Sequence, residues 1–159
     1  LKSANILLCG HNVSNTVAPT LHAKIADFGL AKTLHQVSFT QTGHRGTSNW
    51  MAPEVMSTNP QYGHAVDIWS MGMIMFEMMT NMMPFENASW YNTALPALQL
   101  HNVFVDRVRN KKETPTWPSD KQVDGYLKQV VLQCWKYEPK QRPTCAELIA
   151  KIEQWNPTN

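Results

Sequence analysis

Cysteine is scarce in these 159 residues: Cys9, Cys134 and Cys145 are the three, irregularly spaced, with no Cys-x-x-Cys pair and no His-x-x-x-His spacing. That excludes a disulfide framework and a zinc site of the usual spacing, and it leaves the reduced thiols of a cytoplasmic setting as the expectation. Blocks of charge are missing as well. With a net charge of +2 and acids interspersed among bases, neither a nucleic-acid surface nor a polybasic membrane face is indicated. Lys111-Lys112, the densest basic spot, reads as a solvated loop. No apolar run is long and unbroken: the most apolar stretch, 65–83, carries Asp67 and Glu77, so it reads as a buried helix and not as a bilayer span. The chain opens on Leu1-Lys2-Ser3 without a charged-then-apolar leader, and no secretory or organellar address is expected. Repeats and low-complexity segments are absent. The length suits one domain that buries about two-thirds of its unfolded surface.

What is present is concentrated between residues 27 and 54. The stretch begins Asp27-Phe28-Gly29 and ends Ala52-Pro53-Glu54, with a polar loop bearing Thr and Ser between the two triplets. Leu1-Lys2-Ser3-Ala4-Asn5 lies a short distance upstream, and the two short apolar runs Ile6-Leu7-Leu8 and Lys24-Ile25-Ala26 read as a hairpin that links them. The polar loop of that hairpin, from about residue 9 to residue 22, reads as a surface insertion, since a longer loop adds little closure entropy. Its His11 and His22 read as solvent-exposed loop histidines in preference to metal ligands.

Taken together, these motifs resemble the carboxyl-terminal lobe of a protein kinase, in the order and separation that phosphoryl transfer requires. The resemblance covers essentially the whole sequence and starts one residue after the Asp of the His-Arg-Asp-Leu-x-x-x-Asn catalytic loop. It implies a mainly α fold over 1–159, with a short β-hairpin, an activation segment and a buried central helix. It also implies roles. Asn5 and Asp27 would offer oxygen ligands to Mg²⁺ beside the ATP phosphates, as a hard cation prefers, and Lys2 would reach the transferring phosphate. Thr47, in Gly46-Thr47-Ser48-Asn49-Trp50-Met51, would bond the catalytic Asp and Lys2. Lys2, Gly46-Thr47 and Trp50-Met51 in combination resemble the tyrosine-kinase-like group of Ser/Thr kinases, so the implied substrate is a Ser or Thr hydroxyl of a protein. Ser38, Thr40 and Thr42 are candidate activation-segment phosphosites, with simple solvated hydroxyls as the equal alternative.

The same resemblance leaves gaps. The Gly-rich loop, the strand Lys with its partner Glu, and the catalytic Asp are not among the 159 residues. These residues alone are therefore expected to be inactive, in a fragment of an ATP-dependent kinase. A kinase-like interaction module without catalysis is the alternative.

Structural roles follow for three more residues. Glu54 should be buried and need a cation, because a lone buried carboxylate is costly, and Arg142 in Gln141-Arg142-Pro143-Thr144 matches the arginine that supplies it in the family. Asp67 begins a helix over 67–79 that is apolar on nearly every face; the resemblance has it bond the catalytic-loop backbone, and a helix N-cap is compatible with that. Residues 90–101 could form a peripheral helix that Pro96 should shorten or kink. Apolar spacing predicts a helix over 126–137. Thr144-Cys145-Ala146-Glu147 is a capping box that opens a last helix, with Leu148, Ile149, Ile152 and Trp155 as its apolar stripe and Pro157 ending it.

Overall fold

Apolar side chains surround the helix at the centre of the molecule, α1 (Ala65–Thr80), which buries Ile68, Trp69, Ser70, Gly72, Met73, Ile74, Met75, Phe76 and Thr80. The computed structural model describes residues 1–11, 20–27, 47–57 and 63–156. Asn81, at φ 51°, closes α1 in the left-handed conformation that Asn tolerates, and its N–H returns to Glu77 O at 2.8 Å. Asp67 lies within the first turn, three positions past the N-cap; the cap is His64, whose side chain makes no capping bond.

Three further helices follow: α2 (Ala97–Phe104), α3 (Gly125–Cys134) and α4 (Cys145–Glu153), with a π-helical stretch Val105–Asn110 continuing α2. Pro96 does not interrupt a helix over 90–101 but stands as the N-cap of α2, where its missing N–H costs nothing. Residues 90–96 precede it as turns. Asp124 caps α3 by accepting from Leu127 N at 2.8 Å. Thr144 and Glu147 form the capping box of α4 in both directions. The stripe expected on α4 is only partly buried: Leu148 is 4% exposed, whereas Ile149 is 52% exposed, because this helix touches the core along a single line.

α1 and α3 approach so closely at Gly72 that a Cβ there would sit 2.7 Å from Cys134 Cβ and 2.9 Å from Trp135 Nε1. Around that contact Phe76 meets Trp117 edge-on at 5.0 Å and Trp135 at 5.7 Å. A second aromatic group joins Phe85 to Trp90 and Phe104 at 5.4 Å each, and Trp90 to Phe104 at 5.2 Å.

The hairpin is antiparallel, β1 (Ile6–His11) with β2 (Thr20–Ile25), in a register that runs from Ile6 opposite Ile25 to His11 opposite Thr20. The strands thus extend into the polar residues expected to be loop, since backbone pairing does not depend on apolar side chains; His11 and His22 are strand residues. Leu7, Leu8, Leu21 and Ile25 are exposed, while Leu1 and Ile6 pack on the core, so the hairpin is held at the end from which the chain enters it.

Candidate active site

The hairpin register brings together what the sequence separates. Beyond Ile6 and Ile25 the ladder gains one more bond, Ala26 N to Asn5 O at 2.8 Å, so Asn5 and Asp27 stand at the same end of the two strands. Asn5 closes a single 3₁₀ turn, Ser3–Asn5, fixed by its own N–H on Lys2 O at 3.0 Å. Lys2 is the extended residue before that turn. Asp27 is exposed and has φ 59°, a left-handed backbone that Asp adopts more readily than most non-glycine residues and that is enriched at functional sites.

Asn5 has an amide oxygen and Asp27 a carboxylate, the donor types that a hard divalent cation prefers. Among the described residues there is no cluster of three or more His, Cys, Asp or Glu, so the site does not resemble a closed protein cage.

The turn Thr47–Trp50 is a second 3₁₀ element, and α1 holds it. Ser70 Oγ donates between Trp50 O at 2.8 Å and Val66 O at 3.1 Å. Asn49, fully buried, donates to Pro84 O at 2.6 Å. Ser48 Oγ lies 3.3 Å from His101 Nδ1 on α2, and burial pushes the His101 imidazole below its ordinary pKa. The backbone of Thr47 opens the turn. Ser38, Thr40 and Thr42, together with Phe28, Gly29 and Gly46, lie outside the described residues.

Behind the turn, Glu54 and Arg142 meet in a two-pronged pair, Nη1 to Oε1 at 2.7 Å and Nη2 to Oε2 at 2.8 Å. The other guanidinium N–H groups donate to Ala65 O, Tyr137 O and Lys136 O at 2.9, 3.1 and 2.8 Å. All five donors of the buried Arg142 are thereby used, and its plane lies 5.0 Å over the Trp69 ring. Asp67 is on the surface, 3.9 Å from the Leu1 nitrogen at the tail of the loop that the resemblance identifies as catalytic.

Sequence reasoning did not give Ser70, Asn49 or Glu77 a role in the site. Glu77 accepts from Ser3 Oγ at 3.1 Å and from Trp50 Nε1 at 3.3 Å. Its signal was visible, since it is a lone carboxylate on the polar-poor stretch 68–80 of α1. A cavity of about 320 Å³ opens beside Glu54, lined by Ser57, Arg109, Tyr137 and Glu138 among others. None of Lys2, Asn5 and Asp27 lines it.

The family model described as the protein kinase domain matches residues 1–152. The dual specificity protein kinase shkD of Dictyostelium discoideum is 30% identical over 97% of this chain and 18% of its own length. Mitogen-activated protein kinase kinase kinase 3 of Arabidopsis thaliana is 34% identical over 94% of this chain and 21% of its own. Serine/threonine-protein kinase STY17 of the same plant is 32% identical over 97% and 23%. The chain thus spans about a fifth of the length of these relatives. Among the described residues, no helix is long and apolar enough to cross a membrane.

Proposed function

Because this chain belongs to the protein kinase domain family, we propose that it is the carboxyl-terminal, Mg²⁺- and substrate-side part of a domain that moves the γ-phosphate of ATP to Ser or Thr hydroxyls of proteins. The observation that carries the reading is the hairpin register, which supports it by bringing the backbones of Asn5 and Asp27 to the same end of the two strands. In this reading Asn5 and Asp27 hold the cation through oxygen, and Lys2 places a positive charge at the phosphate being moved. Bound Mg²⁺ neutralises phosphate charge as it builds during transfer. Thr47 and the turn it opens hold the acceptor segment, anchored through Ser70 and Asn49 to α1. The pairing of Lys2 with Gly46-Thr47 and Trp50-Met51 supports the tyrosine-kinase-like group, and three free cysteines accord with a reducing, cytoplasmic setting.

The test is phosphotransfer to myelin basic protein by the full-length protein that contains these residues, with Mg²⁺ and ATP and with phosphoamino-acid analysis of the product. Asp27→Asn should lower the rate by about 100-fold or more, the size expected when one fixed charge is removed from a transition state, with the melting temperature unchanged. Phosphate should appear on Ser and Thr. The 159 residues by themselves should give negligible turnover. Wild-type rates in Asp27→Asn would overturn the reading, and a full-length protein that transfers no phosphate would favour an interaction module.

A further inference from the structure

Glu77 is the acid in the inner part of α1, a helix whose neighbouring positions are almost all apolar. Glu77 is half-buried, and hydrogen-bond donors offset the part of its hydration that it loses. Two do, one on each oxygen, and they come from opposite sides of the site: Ser3 Oγ on Oε1 at 3.1 Å, 74 residues away, and Trp50 Nε1 on Oε2 at 3.3 Å, 27 residues away. Ser3 opens the turn that ends in Asn5 and adjoins Lys2; Trp50 ends the turn that begins at Thr47.

We propose that Glu77 is a positioning residue: its carboxylate fixes the spacing between the phosphate-side turn, Ser3–Asn5, and the substrate-side turn, Thr47–Trp50, through one hydrogen bond to each. The catalytic part of this inference rests on the function proposed above. Ser70 ties the backbone of Trp50 to α1 by a separate route, so losing the Glu77 bond frees the indole and the register of the turn without detaching it from the helix. Small displacements of this kind between reacting groups cost rate more than affinity.

Two measurements on the full-length protein decide it. In the first, the Trp50 indole N–H resonance is followed by ¹H–¹⁵N NMR, assigned by its loss in Trp50→Phe. Glu77→Gln should move it, and so should Ser3→Ala, whose side chain hydrogen-bonds the same carboxylate. In the second, Glu77→Gln should lower kcat toward myelin basic protein about tenfold, with KM for ATP unchanged within twofold. Glu77→Gln combined with Trp50→Phe should be no slower than Glu77→Gln alone. An indole resonance that stays in place in Ser3→Ala, or losses that multiply in the double variant, would overturn the linkage. A wild-type protein without phosphotransfer would defeat the preceding reading instead, and the indole shift would then decide the linkage by itself.

Discussion

Replacing Arg142 with Ala removes the cation that faces the part-buried Glu54 and strands three backbone carbonyls that it serves. Breaking a buried pair from one side costs about 3–5 kcal/mol, which should appear as a large drop in the urea midpoint. Arg142→Lys should recover little of it, because an ammonium offers three donors from one point where the guanidinium uses five in a plane. The thiols separate by environment: burial pushes Cys134 up to about 11, while Cys145 is exposed. At pH 8 iodoacetamide should label Cys145 and leave Cys134 unmodified in the folded protein, as read by mass spectrometry. His101 sets a direction for pH dependence. Burial holds its imidazole below the ordinary value of 6.5, so as pH falls through 6.5 the unfolded chain takes up that proton first. Stability contributed by the neutral ring is therefore present above 6.5 and declines below it until the folded ring also protonates. His101→Gln should flatten that part of an acid denaturation curve.

At the scale of elements, the α1–α3 contact makes the sharpest demand. A methyl at Gly72 would press on Cys134 Cβ, an atom fixed to backbone, so Gly72→Ala should destabilise by about 1–3 kcal/mol despite its gain in helix propensity. Asp124→Ala should cost about 1 kcal/mol through loss of the α3 cap. Both are read from thermal unfolding. Elements of this kind differ in how far the sequence reveals them. α1 was legible because apolar residues on nearly every face leave little alternative to a buried helix, and the α4 cap was legible because both of its bonds lie within four residues. The hairpin was legible at its apolar end alone; its polar half is paired by backbone groups that leave no mark on side-chain pattern. Pro96 was misjudged because the same ring that breaks a helix in mid-course suits its start. Asn5 and Asp27 were singled out by the resemblance of short local motifs to those of a family, whereas Ser70, Asn49 and Glu77 act across 20 to 74 residues of sequence through the fold and had no such motif to mark them.

Across the whole molecule stability is uneven. α1 is enclosed on most sides, whereas the hairpin exposes Leu7, Leu8, Leu21 and Ile25 and is anchored at its Ile6 end. A two-stranded ribbon is marginal by itself. Amide exchange should therefore proceed through local opening in β1 and β2 and through global unfolding in the middle of α1, with protection factors at least about a hundredfold apart. The proposed cation ligands sit at the anchored end of that ribbon, so the distal part can open while Asn5 and Asp27 keep their places.

The clasp between Glu54 and Arg142 also imposes an order in time. On the ribosome the acid emerges 88 residues before the base that neutralises it, roughly 4 to 18 seconds at about 5–20 residues per second. Throughout that delay the nascent segment that follows the Thr47–Trp50 turn must stay hydrated or in the keeping of a chaperone, and it can settle into its final place only once the base has been made.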